Sequence, residues 1–195
     1  MLIVLTGKTA SGKDTIASRL LSKYSYLKRV VTTTSRSLRS GEKEGIDYFF
    51  LTKEDFENKI KQNEFAEYVE YGGNFYGTYK KELEKTLSSD LIWKIDPFRA
   101  GETREFIKRA FSKNLAEQLI KRLVVIYITC EDQVILERLK KRGLSDQEIG
   151  QIMKDDKKIW QKYQKAYDFV IENIPGQLKT TVNKIIKILE NHPTW

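Results

Sequence analysis

The stretch GKTASGKDT, residues 7–15, carries the pattern G-x-x-x-x-G-K. Gly7 and Gly12 let the backbone turn tightly enough for several N–H groups to face one anion, and Lys13 adds a positive charge for terminal phosphates. Upstream, LIVLTG is a short apolar run that ends at Gly7. Downstream, KDTIASRLLSKY sets Ile16, Leu20 and Leu21 on one helical face. Strand, loop and helix in this order are the context in which the pattern cradles nucleotide phosphates. The residues expected to do so are Gly7, Lys8, Thr9, Ala10, Ser11, Gly12, Lys13, Asp14 and Thr15.

One position departs from the pattern. Ser or Thr ordinarily follows the lysine and holds magnesium; here Asp14 does. Thr15 still offers a hydroxyl to the α-phosphate. Asp14 has two open readings: a magnesium ligand acting through water, or an acid favoured by the positive end of the first helix.

Beyond this loop, DLIWKID at 90–96, RLVVIYIT at 122–129 and YDFVIEN at 167–173 read as strands, the first two apolar enough to be buried on both faces. Helical patterns such as EDQVILERLKKR and LKTTVNKIIKILE separate or follow them. The alternation predicts an α/β fold with a parallel sheet flanked by helices. Residues from about 32 to 87 break the rhythm: DYFFLT, a helix opened by Thr52, then EFAEYVEY and NFYGTY around Gly72 and Gly73. A small mixed α+β lobe inserted into the core is expected there. The segment from Pro97 to Arg122 reads as helical.

Composition narrows the chemistry. With 195 residues, 40% hydrophobic and 32% charged, one folding unit with a sizeable core is expected. A single cysteine, Cys130, and a single histidine, His192, make disulfides, zinc cages and histidine acid–base catalysis poor expectations. The net charge of +8 suits phosphorylated ligands, and neither a basic tail nor an RNA-binding aromatic signature argues for nucleic acid. No stretch reads as a signal peptide or a membrane span, so a cytoplasmic location and no membrane partner are expected. Oligomeric state is not legible.

In the inserted region, TTTSRSLRSGEKEGIDY, FAE and GNFYGT follow one another in the order found in guanylate kinases, and together with GKTASGKDT, ILERLKKRG and YDFVIEN they resemble that family over nearly the whole chain. The resemblance implies a P-loop NTPase-type core at about 1–31 and 88–195, a nucleoside-monophosphate lobe at about 32–87 and a helical lid at about 139–166. It implies transfer of a phosphoryl group from ATP, with Mg2+, to GMP and dGMP. Arg36, Arg39, Tyr48 and Tyr76 would hold the acceptor phosphate, while Thr32, Glu67, Thr78 and Asp96 would surround the base. Lys13, Arg138 and Arg142 would neutralise charge on the transferring group.

Three departures stand out. Leu38 replaces the family's proline, Lys94 stands where the family carries an acid, and PFRAG at 97–101 replaces a V-Q-G-like sequence. Lys94 and PFRAG suggest one rival reading, a kinase of the same build with another nucleoside monophosphate as acceptor; a rival of a different class is a non-catalytic interaction module of guanylate-kinase type.

Overall fold

The computed structural model describes residues 1–192. Strand β1 (Leu2–Gly7) runs into the phosphate loop and then α1 (Lys13–Lys23). A two-residue strand, β2 (Lys28–Arg29), is followed by β3 (Thr32–Thr34), β4 (Tyr48–Phe50), α2 (Lys53–Lys61), β5 (Phe65–Tyr71), β6 (Asn74–Tyr79) and α3 (Lys80–Glu84). Next come β7 (Leu91–Lys94), α4 (Pro97–Gly101), α5 (Thr103–Ala110), α6 (Lys113–Lys121) and β8 (Leu123–Thr129). The chain continues through α7 (Asp132–Lys141), α8 (Asp146–Tyr163), β9 (Phe169–Glu172) and α9 (Leu178–Glu190).

The five strands β2-β7-β1-β8-β9, in that order, pair in parallel, with β1 central. Alternation along β1 and β8 fills both faces. Ile3, Leu5, Val124, Ile126 and Ile128 pack toward α1 and α9, whereas Leu2, Val4, Leu123, Val125 and Tyr127 pack with residues of α4, α5, α6 and α8. A strand with period-two side chains that are apolar on both sides can only sit in a sheet covered twice, which is the parallel arrangement. Because β1 is central, the loop at its carboxyl end lies where open α/β sheets bind ligands.

Between β2 and β7 the chain builds a separate four-stranded sheet of order β4-β3-β6-β5, with β3 and β4 parallel and the other pairs antiparallel. Its own small core is aromatic: the Phe56 ring stacks at 4.4 Å from Phe65, which stacks at 4.7 Å from Tyr79. Helix α2 begins as its sequence requires, Thr52 accepting the Asp55 N–H at 3.0 Å. Strands β2 and β3, of sequence KR and TTT, were not among the strands expected from the sequence. Both are too short and too polar to produce an apolar pattern, and they form because neighbours supply the ladder.

The PFRAG segment opens α4, capped by Asp96, which accepts the Arg99 N–H at 3.0 Å. This helix lies directly on α8 and the residues after it. Tyr163 donates to Glu102 at 2.7 Å, Tyr167 donates to the Pro97 carbonyl at 2.9 Å, and a Cβ on Gly101 would lie 2.4 Å from the Tyr163 ring. Gly101→Ala is therefore an overpacking substitution, expected to cost about 1–3 kcal/mol in a urea unfolding experiment. Unchanged stability would show that α4 and α8 are not held at this spacing.

Candidate functional site

The phosphate loop is shaped by what surrounds it. Gly7 has φ of 145°, and a Cβ there would sit 2.0 Å from the Ile128 carbonyl oxygen; Gly12 has φ of 93°, and a Cβ there would meet Asn173 Nδ2 at 2.4 Å. Ala10, a non-glycine residue at φ 60°, lends its carbonyl to Arg138 Nη1 at 2.9 Å. Asn173, at the end of β9, donates from Nδ2 to the Ser11 carbonyl at 2.8 Å. Lys8 N–H donates to the Ile128 carbonyl at 3.0 Å, and the Lys8 ammonium pairs with Asp132 at 2.7 Å.

Helix α8 also reaches the loop. Asp156 accepts the Thr9 N–H at 2.8 Å through Oδ2, so a carboxylate holds one of the amide donors that the loop would otherwise offer an anion. Burial raises the pKa of Asp156, while its bonds from Thr9 and the nearby Lys13 work the other way. Lys13 itself has no carboxylate within ion-pairing distance among the described residues. Burial lowers its pKa, opposed by the charges of Asp14 and Asp156.

Neighbouring residues of this loop line different cavities. Lys13 and Asp14 form part of a cavity of about 390 Å³ whose other walls include Thr32, Tyr48, Tyr76, Lys94, Asp96 and Arg99. Ala10, Gly12 and Thr15 line a second cavity of about 290 Å³, with Arg138, Arg142, Asn173 and the Ile174–Leu178 segment. Arg142, the residue after α7, lies close enough to act electrostatically on both Lys13 and Asp14.

Asp14 is the exposed member of an ion pair. Its carboxylate accepts from Lys94 Nζ at 2.5 Å, with 70% of the Asp14 side chain exposed. Lys94 ends β7 and Asp14 lies in the first turn of α1. Burial raises the Asp14 pKa, but the Lys94 hydrogen bond and the surrounding cations outweigh it and leave the pKa lowered. Neither reading of Asp14 from the sequence included this partner.

In the inserted lobe, Arg36 is gripped by Glu42, Nη1 to Oε2 at 2.7 Å and Nη2 to Oε1 at 2.5 Å, while its guanidinium lies 5.0 Å from the Tyr48 ring centre. Glu42 also accepts the Arg39 N–H at 2.9 Å. The Arg36 hydrogen bond, with the help of the Arg39 amide, lowers the Glu42 pKa to about 2. A depressed carboxylate pKa stabilises the fold above the ordinary value of 4.5 and loses that contribution as pH falls toward 2, so the clamp is intact throughout neutral pH. Among the described residues, Arg36 keeps Nε–H and one Nη2–H without a hydrogen bond.

At the other end of the lobe a β-bulge between Phe65 and Glu67 turns Glu67 inward opposite Thr78. Thr78 donates to Glu67 Oε1 at 2.7 Å, and Arg99 Nη1 donates to Oε2 at 2.9 Å. Arg99 Nε also donates to Asp96 Oδ2 at 2.5 Å. Only 1% of the Glu67 side chain is exposed, so from the cavity Arg99 and Asp96 are met first and Glu67 lies behind them. Burial pushes the Glu67 pKa up, with Arg99 and Thr78 opposing the shift.

The structure thus gathers Lys13, Asp14, Thr32, Tyr48, Tyr76 and Asp96 around one cavity, and Thr15, Arg138 and Arg142 around the next. Arg36 adjoins the first through Tyr48 and Tyr76, both of which act electrostatically on it, whereas Arg39 is exposed. Four participants were not singled out from the sequence. Glu42 and Asn173 lay inside quoted motifs, Arg99 stood in the departing PFRAG segment, and Asp156 in the polar run KDDKK gave no signal.

A model of the guanylate kinase family matches residues 1–192. Guanylate kinase of Fusobacterium nucleatum is 31% identical over 192 residues, covering 97% of this chain and 96% of that protein. Guanylate kinase of Carboxydothermus hydrogenoformans is 30% identical over 193 residues, covering 97% and 87%. Among solved structures, guanylate kinase from Anaplasma phagocytophilum superposes with a TM-score of 0.64 at 26% identity, over 97% of this chain and 84% of that one. Shikimate kinase from Acinetobacter baumannii, at 16% identity and a TM-score of 0.52 over 98% of this chain and 94% of that one, shares the fold. The chain belongs to the guanylate kinase family.

Proposed function

We propose that this chain transfers the terminal phosphoryl group of ATP to GMP and dGMP, yielding ADP and GDP or dGDP. The observation that carries this reading is the division of the phosphate loop between two cavities, with Lys13 and Asp14 facing one and Gly12 and Thr15 the other. A loop so divided sets Lys13, in the acceptor cavity, next in sequence to Gly12 in the donor cavity. The non-catalytic rival has no use for that arrangement.

In this reading the donor's phosphates rest on the backbone of residues 7–15, and Thr15, Arg138 and Arg142 line its side of the loop. The acceptor phosphate is held by Arg36, Arg39, Tyr48 and Tyr76, and its base is met by Thr32 and Asp96, with Glu67 and Thr78 behind Arg99. An acceptor phosphate oxygen attacks the γ-phosphorus of ATP, the bond to the β–γ bridging oxygen breaks, and ADP leaves with that electron pair. No side chain forms a covalent intermediate. Lys13, Arg138 and Arg142 neutralise the charge that spreads over the transferring group.

Among the described residues no group of three or more His, Cys, Asp or Glu could hold a metal ion. Mg2+ would therefore enter with the donor phosphates and keep several waters, as it usually does. The donor set fits that mode, since Asp14 is an exposed hard-oxygen ligand beside Lys13. When bound, Mg2+ supplies charge neutralisation on the phosphates. Asp14 would hold its water shell after exchanging Lys94 for the metal.

A coupled ADP-release assay across GMP, dGMP, AMP, CMP, UMP and dTMP tests the activity. GMP and dGMP are expected to be the fastest acceptors by on the order of 100-fold, as a site built for hydrogen-bond readout rejects mismatched bases. A faster rate with any other base would reassign the acceptor, and no turnover at all would leave the interaction-module reading. The role of Asp14 is tested by titrating Mg2+ at saturating ATP and GMP. Asp14→Asn should shift the curve to higher Mg2+, Asp14→Ser should restore it, and Lys94→Met should shift it to lower Mg2+ by removing the competing cation. Superimposable curves for all the proteins would eliminate the metal role.

A further inference from the structure

We propose that Arg99 is the residue that reads the 6-oxo group of the acceptor base, a specificity role resting on the function proposed above. Guanine presents two donors on its N1–H and N2–H edge and an acceptor at O6, and that acceptor must be met by a donor in the site. The Thr78 hydroxyl has one hydrogen, and the structure commits it to Glu67 Oε1 at 2.7 Å in a fully buried contact. Turning it toward a base would leave Glu67 with one partner fewer in a place where water does not reach.

Arg99 is the better-supplied donor. A guanidinium carries five N–H groups. Nε–H is given to Asp96 and one Nη1–H to Glu67, and among the described residues the second Nη1–H and both Nη2–H make no hydrogen bond. The side chain is 14% exposed, lines the acceptor cavity and is fixed in plane by two carboxylates on different elements, Glu67 on β5 and Asp96 at the cap of α4. A planar fork immobilised in this way, with free hydrogens left over, is the kind of donor that recognises guanine O6 and N7 elsewhere in macromolecular recognition. Glu67 and Thr78 hold the fork, and Asp96, with 44% of its side chain exposed, offers an acceptor beside it.

The assignment explains the placement of PFRAG. Helix α4 is anchored by Tyr163 and Tyr167, and Arg99 of that helix bonds Glu67 in the inserted lobe. Base reading is thereby tied to the core helix as well as to the lobe.

The test compares three acceptors in the unaltered protein, Arg99→Gln and Arg99→Lys. The acceptors are GMP, 6-thio-GMP, which keeps N1–H and the 2-amino group but presents a weak sulfur acceptor, and IMP, which keeps O6 and lacks the 2-amino group. Arg99→Gln should lower kcat/KM for GMP by about 10- to 100-fold and collapse the preference for GMP over 6-thio-GMP, while the preference for GMP over IMP stays within about twofold. Arg99→Lys keeps a cation between Glu67 and Asp96, which guards against misfolding, and should show the same collapse less completely. Equal losses with GMP and 6-thio-GMP in both variants would reduce Arg99 to a support for Glu67 and overturn the proposal, as would unchanged kinetics. An unaltered protein that does not use GMP would overturn the function reading and this assignment together, whereas normal GMP turnover with unchanged ratios would overturn only this one.

Discussion

Everything in the site depends on the close approach of the phosphate loop to β8 and β9. Gly7 and Gly12 are flush against Ile128 and Asn173, leaving no room for a Cβ at either position. That approach is possible because β1 is the central strand and β8 its neighbour, paired from Leu2 opposite Leu123 through Gly7 opposite Ile128. Packing on both faces of the sheet fixes the height of the loop, and the Arg138 and Asn173 contacts fix its shape. The catalytic geometry is an outgrowth of core packing: a cavity under β1 would move Lys13 as surely as a change in the loop.

Around that fixed point the chain pairs several of its cations, and one amide of the loop, with its own carboxylates. Glu42 holds Arg36, Glu67 and Asp96 hold Arg99, Asp14 holds Lys94, and Asp156 holds the Thr9 amide. These contacts differ in cost. The Asp14–Lys94 pair is largely exposed on the acid side, and such pairs contribute little and exchange easily. Arg99–Glu67 is buried, and removing either partner alone would strand the other charge out of water. The first kind of pair suits a group that must be released to a ligand, and the second a group that must stay in place. The cleft therefore combines an exposed, weakly held pair with a buried, firmly held one.

Much of this was legible in the sequence because it depends on local pattern. The first strand, loop and helix follow from apolar periodicity and two glycines, and Thr52 announced its own helix. The opposing strands EFAEYVEY and NFYGTY were legible through Gly72 and Gly73, both at positive φ. Strands β2 and β3 were not, since a two-residue KR and a three-residue TTT are held by partners distant in sequence. The same distinction runs through the site. Residues that carry a motif's own pattern were singled out, while the partners that orient them were not, whether near in sequence, as Glu42 is 6 positions from Arg36, or far from it. Asp156 lies 147 positions from Thr9, Lys94 lies 80 from Asp14, and Arg99 lies 32 from Glu67. The PFRAG departure was visible as an anomaly, but its meaning lay in a carboxylate on another element.

In the proposed function one loop serves two phosphate sites at once. Calorimetry with adenosine and guanosine joined through a chain of five phosphates addresses it directly, since such a ligand can span the donor and acceptor cavities only if they meet at Lys13. Binding at one equivalent per chain, tighter than ATP or GMP alone by about 100-fold or more, is the result expected when the second contact becomes intramolecular. Affinity no greater than that of ATP would contradict the account, because the two cavities would then not be connected through the loop.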